Sequence, residues 1–174
     1  MKIKLASRED AVKAGRLYDD TVAFLDAHIN FPKWRYKIYP TVETALGAQQ
    51  NGELYVIEDE GTVTGAFILN FDPSGNYQNV PWKRDLKEGE YMVIHTLAVA
   101  PGYQGKGIGG MAVSFCIDEA LRRGCKAIRL DIVPSNEPAA ILYEKHGFTL
   151  AGTADLGRGL EDIPEFTLYE LNLK

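Results

Sequence analysis

Residues 101–110 read PGYQGKGIGG, five glycines in ten positions, directly after the apolar run YMVIHTLAVA. Glycine at that density costs folding entropy, and a strand–glycine loop–helix order gives it a use. The first turn of a helix leaves N–H groups without intrahelical acceptors, and the macrodipole adds about half a positive charge there. Glycines let a phosphate approach the backbone closely, so such a loop makes an anion site. Lys106 is the loop's one cation, so backbone amides carry most of the recognition. A plain turn followed by a helix start is the alternative.

Three phosphate-binding patterns can be set against the stretch. GxxxxGK[ST] fails, because no Gly-Lys pair is followed by Ser or Thr. GxGxxG fits Gly105, Gly107 and Gly110, with an acidic residue, Asp131, about twenty positions on. Against a dinucleotide loop, Ala100 to Gln104 separate the strand from the first motif glycine, and Asp131 is followed by Ile-Val inside its own strand. The third pattern, [RQ]xxGxG/A, fits Gln104, Gly107 and Gly109. A second motif lies about thirty residues downstream, in SNEPAAILYEKHGF, with Asn136, Ala139, Tyr143, Gly147 and Phe148 in order. With both motifs in place, residues 90–150 resemble the GNAT superfamily of acyl-CoA-dependent N-acyltransferases. The first ninety residues fit that family in outline.

The resemblance implies acetyl-CoA as cosubstrate, with Gln104, Gly105, Lys106, Gly107, Ile108, Gly109 and Gly110 around its pyrophosphate. Gln104 stands where many members have Arg, so a side-chain charge is absent at that point. It further implies a β-bulge in the preceding strand, which splays from its parallel neighbour to take the pantetheine arm along Leu97, Ala98 and Val99. A backbone N–H there would polarise the thioester carbonyl. Leu97 and Val99 also suit a core. Asn136 matches the family's cofactor-contacting Asn and doubles as a helix N-cap.

Acyl transfer to an amine poses two proton problems. An alkylamine with a pKa of about 10 must lose a proton before or during attack, and a thiolate whose thiol has a pKa of roughly 8.5 benefits from a donor as it leaves. Tyr143 occupies the family's usual position for that acid. His95, two residues before Leu97 on the same strand, shares its face by period-two alternation and is the first candidate base. Glu90 is the second, and a water relay without a single base is the third reading. On the acceptor side, NFPKWRYKIYP and residues 71–90 are rich in aromatics, of which Trp34, Tyr39 and Trp82 are the candidate substrate contacts. Core capping or a homodimer contact is their other use. A non-catalytic acyl-CoA sensor and an NAD-linked oxidoreductase are the rival functions.

The elements that must position these residues follow from local signals. Lys2–Leu5 reads as a strand. Ser7, with Asp10 three residues on, caps a helix running to about His28, and Thr41 opens a shorter one that ends near Asn51-Gly52. ELYVIE and TVTGAFILNF form a hairpin across Asp59-Glu60-Gly61. Then come the strand YMVIHTLAV, a helix from Ile108 to about Gly124, the strand AIRLDIV, a helix from Asn136 to Gly147, and the strands FTLAGTA and EFTLYELNL. The layout is mixed α/β: one domain over residues 1–174, with a six- or seven-stranded sheet and helices on both faces.

Composition agrees. The 174 residues are 45% hydrophobic and 25% charged, with a net charge of −5. That balance argues against a nucleic-acid partner. No segment approaches a membrane span, and MKIKLASREDAVKAG has no apolar targeting core, so the expected location is cytoplasmic. Cys116 and Cys125 show no CxxC pattern and no metal-ligand spacing, and are expected as buried free thiols.

Overall fold

In the computed structural model, which describes residues 1–174, the chain forms β1 (Lys2–Leu5), α1 (Arg8–Asp26), α2 (Val42–Gln50), β2 (Leu54–Asp59), β3 (Thr62–Asn70), β4 (Tyr91–Val99), α3 (Ile108–Arg122), β5 (Ala127–Ile132), α4 (Glu137–Lys145), β6 (Thr149–Ala154) and β7 (Phe166–Asn172). The strands hydrogen-bond in the order β1-β2-β3-β4-β5-β7-β6, a seven-stranded mixed sheet within the expected range. β4 and β5 run parallel, whereas the β1/β2, β2/β3, β5/β7 and β6/β7 pairs are antiparallel. No helix is long and apolar enough to cross a membrane.

The local signals act where the sequence places them. The Ser7 hydroxyl accepts the Asp10 N–H at 3.2 Å while the Asp10 carboxylate accepts the Ser7 N–H at 3.0 Å, a reciprocal capping box. Thr41 and Thr44 repeat the device at α2. Glu60 and Gly61 both take positive φ (47° and 83°), the two-residue turn whose twist matches its flanking strands.

Residues 1–69 with 95–115 form one compact unit and residues 70–94 with 116–174 a second. The first is built on Tyr18, Leu17, Ala11 and Ala14 of α1, Ala45 of α2, Leu54 and Val56 of β2, Ala66 and Ile68 of β3, and Ala98 of β4. Gly15 sets the α1/α2 approach: a Cβ there would lie 2.6 Å from the Val42 Cα. The second gathers Tyr77, Val80, Tyr91, Val93, Val133, Leu156, Phe166 and Leu168. At the start of β4, Glu90 accepts from the Lys126 ammonium and from the Lys87 N–H at 2.8 Å, and its carbonyl takes the Lys126 N–H at 2.7 Å. The Lys126 ammonium, and then the Lys87 N–H, hold its carboxyl below the ordinary glutamate range. This corrects the assignment of Glu90 as a candidate base. Both carboxylate oxygens are engaged in a clasp that fixes the entry of β4.

Two outcomes follow. Gly15→Ala gains about 1 kcal/mol of helix propensity, but its methyl meets backbone. We expect net destabilisation of about 2 kcal/mol and a fall in Tm of about 4–8 °C by calorimetry. For Glu90, a depressed folded pKa means stability that is complete above the unfolded carboxyl value of about 4.3 and lost as the pH falls through the lower folded value. Glu90→Gln therefore lowers Tm at pH 7, and its gap from wild type closes as the pH is taken below about 4.

Candidate active site

β4 ends at Val99, a short 3-10 turn covers Pro101–Tyr103, and α3 opens at Ile108. The loop is tied by its own side chains. Gln104 Nε2 donates to the Val99 carbonyl at 3.1 Å, and Lys106 Nζ donates to the Gly102 carbonyl at 3.0 Å while lying 4.9 Å from the Tyr103 ring centroid. Gly105 and Gly107 sit at φ 74° and 79°, a left-handed backbone that only glycine adopts cheaply, and a Cβ on either would meet nothing within 4 Å. The i→i−4 bond from the Met111 N–H reaches the Gly107 carbonyl at 3.0 Å, so the amides ahead of it have no intrahelical acceptor. Buried Ile108 anchors the helix start, and Gln104 to Gly107 are exposed. An open glycine backbone leading into unengaged helix amides fits a pyrophosphate.

Leu97 and Val99 are half-buried and Ala98 is buried. The Ala100 N–H donates to the Thr64 carbonyl at 2.9 Å, and the Ala98 carbonyl lies 3.1 Å from where a Cβ on Gly65 would stand. Residues 98 and 100 thus face β3. By strand alternation, the peptide groups of Leu97 and Val99 point to the opposite edge of β4. The Val99 carbonyl, taken by Gln104, agrees. The β4/β5 ladder covers Tyr91–Val93 against Ala127–Arg129.

Between those anchors lies Thr96, at φ 49°. A β-branched residue in the left-handed region costs on the order of 1–3 kcal/mol, and its hydroxyl shares a buried hydrogen bond of 3.0 Å with that of Tyr18. Thr96 interrupts the extended backbone of β4 at a residue the sequence did not single out. It also breaks the unbroken alternation that placed His95 on the face of Leu97. The exposure pattern nevertheless holds: His95, Leu97 and Val99 are half-buried, and Ile94, Thr96 and Ala98 are buried.

In the second unit, Asn136 caps α4 by accepting the Ala139 N–H at 3.4 Å. Tyr143 is buried, its ring edge-on to Phe148 at 5.4 Å. Burial pushes its phenol above the ordinary tyrosine value, so it keeps its proton but gives it up less readily than a free phenol. Asp131 is filled. Tyr77 Oη donates to it at 2.7 Å, and Arg158 donates twice, at 2.6 and 2.9 Å. A carboxylate so engaged is not open to a ribose, which removes the acid from the dinucleotide pattern.

The aromatic candidates have separate surroundings. Trp34 packs against the first unit's core, with Tyr18 edge-on at 6.3 Å. Tyr39, 47% exposed, closes a small bridge with Arg35. Trp82 belongs to the second unit. Its indole donates to the Tyr77 carbonyl at 2.7 Å, its ring lies 4.1 Å from the Arg129 guanidinium, and it lines a groove of about 540 Å³ with Arg84, Asp85, Leu86 and Tyr91. Trp34 and Trp82 are each half-buried against the core of their own unit, and Tyr39 is exposed. Sequence reasoning missed Tyr18, Thr96 and Arg158, none of which lies in a motif.

Residues 20–148 match the family model for the acetyltransferase (GNAT) family. Streptothricin acetyltransferase of Streptomyces lavendulae is 34% identical over 79 residues, 45% of this chain and 42% of that protein. The ribosomal protein bS18-alanine N-acetyltransferase of Escherichia coli K12 is 38% identical over 87 residues, 50% of this chain and 59% of that one. The chain matches about half the length of these curated relatives. An N-acetyltransferase structure from Staphylococcus aureus Mu50 superposes with a TM-score of 0.72 at 26% identity, covering 99% of this chain and 98% of that one. The Salmonella typhimurium protein yncA, solved with acetyl-CoA, gives a TM-score of 0.70 at 24% identity, covering 100% and 94%. The chain belongs to the acetyltransferase (GNAT) family.

Proposed function

We propose that this chain transfers the acetyl group of acetyl-CoA to a primary amine of a small molecule or peptide. The observation that carries this reading is the open glycine backbone at Gly105 and Gly107, running into the unengaged first-turn amides of α3, in a chain of this family. The amides of Gly105 to Gly110 hold the pyrophosphate, and Gln104 keeps their loop closed on β4. The edge of β4 at Leu97 and Val99 offers peptide groups to the pantetheine arm, and Asn136 adds a polar contact alongside its cap. Bound acetyl-CoA supplies an activated thioester for the amine to attack.

The chain's own groups manage the rest. A backbone N–H near Leu97 or Val99 favours negative charge on the carbonyl oxygen. His95 takes the amine's proton, directly or through water. Tyr143, with its raised pKa, serves the departing sulfur as a hydrogen-bond donor rather than as a strong acid. Tyr39 and Trp82 offer aromatic surface to the acceptor. Relatives named for streptothricin and for the alanine of bS18 support an amine acceptor of either size class. Two buried free cysteines support a reducing, cytoplasmic setting.

Thiol release from acetyl-CoA across a panel of amines tests the reaction. At least one amine is expected to give turnover, and titration calorimetry should show binding of coenzyme A but not NAD. Binding of coenzyme A without turnover on any amine would favour the sensor reading. Gly107→Val, which puts a β-branched side chain at φ 79° in the open face, should weaken coenzyme A binding at least tenfold. His95→Ala should lower kcat about 10²-fold near pH 7 with coenzyme A affinity unchanged. That loss should shrink as the pH approaches the amine's own pKa.

A further inference from the structure

We propose that Tyr18 is a positioning residue whose hydroxyl, acting through Thr96, sets the direction of the β4 backbone over Leu97–Val99. The inference rests on the acetyl-transfer reading for its functional consequence, but its structural content stands on the first unit alone. Thr96 is the one β4 residue with positive φ, and nothing in Ile94-His95-Thr96-Leu97 favours that conformation: no glycine, asparagine or aspartate is present. A β-branched threonine prefers the extended region. Its left-handed backbone must therefore be imposed by tertiary contacts.

The contact in place is the 3.0 Å bond between the Tyr18 and Thr96 hydroxyls, 78 residues apart in sequence and buried. Tyr18 is itself immobilised. Its side chain is wholly buried in α1, among the alanines and Leu17 of the first unit's core, and is edge-on to Trp34. Burial raises its pKa, so the phenol keeps its proton across the working pH range and the bond does not switch with pH. Downstream, the Ala100 N–H to Thr64 bond and the close approach of the Ala98 carbonyl to Gly65 fix β4 again. Leu97 is held between the two anchors. Releasing Thr96 lets its backbone relax toward the extended region and rotates the Leu97 peptide, whose edge the acyl-CoA arm would use.

Tyr18→Phe keeps the ring and removes the hydroxyl. We expect hydrogen exchange at residues 96–100 to quicken at least tenfold, coenzyme A to bind about fivefold more weakly, and kcat/KM to fall at least tenfold. Thr96→Val, which removes the other hydroxyl at similar volume, should reproduce all three changes. Glycine adopts φ 49° without strain, so adding Tyr18→Phe to a Thr96→Gly background should change each quantity less than twofold. A purely structural Tyr18 would lower Tm yet leave exchange at 96–100, affinity and kcat/KM at wild-type values, and that result overturns the proposal. So does an equal loss in the Thr96→Gly background, because Tyr18 would then act by some other route. If the wild-type protein binds no coenzyme A, the acetyl-transfer reading fails, while unchanged exchange in Tyr18→Phe would still overturn this one.

Discussion

A backbone that leaves a sheet ladder must place its N–H and C=O groups elsewhere, and β4 is where this chain meets that constraint. Its opening residues are engaged in the parallel ladder with β5, from Tyr91 to Val93. Just past its end the Ala100 N–H donates to the Thr64 carbonyl of β3, and the Ala98 carbonyl lies close to Gly65. Between these two stretches Thr96 departs from extended backbone, at φ 49°. The glycine loop starts from the end of this same strand, so its aim depends on how β4 arrives there. The Glu90–Lys126 clasp, the Tyr18–Thr96 bond and the Gln104–Val99 bond stand at the start, middle and end of one nine-residue element.

What the sequence revealed and what it concealed divide by distance along the chain. Ser7 with Asp10, Thr41 at the start of α2, Glu60-Gly61 and the loop at 101–110 are all signals that act within a few residues. Each was legible because one turn or one cap decides the energetics locally. Thr96 was not, because threonine's own preference runs against its observed conformation, and the restraint comes from Tyr18 on α1. The surroundings of Glu90 and Asp131 were hidden for a related reason. A carboxylate looks available in a sequence until its donors are known, and Lys126, Tyr77 and Arg158 lie 36, 54 and 27 residues away, respectively. The period-two rule applied to His95 reached the right exposure across the left-handed residue at Thr96.

The second unit poses a different difficulty. Residues 71–90 form a long connection with only a short 3-10 turn at Tyr77–Asn79, and a segment of that length needs partners for its carbonyls. Two arginines provide them. Arg158, paired with Asp131, also donates to the Ser74 carbonyl at 2.9 Å and the Pro73 carbonyl at 3.3 Å. Arg129, 2% exposed and paired with Glu170 at 2.9 Å, donates to the Arg84 carbonyl at 2.9 Å. Its guanidinium lies 4.1 Å from the Trp82 ring and 4.3 Å from the Tyr91 ring.

Buried ion pairs are poor sources of net stability, because desolvation offsets most of the Coulomb attraction. Here a further return is visible, since each guanidinium has donors left after its carboxylate is served and spends them on loop carbonyls. A hydrophobic pair of equal volume could fill the space but could not bond the loop backbone. The acids Asp131 and Glu170 therefore have a structural purpose: they hold two cations in place so that those cations can order a segment lacking regular secondary structure. An aromatic loop ordered this way keeps Trp82 at a defined position over its groove without committing the segment to a helix or strand.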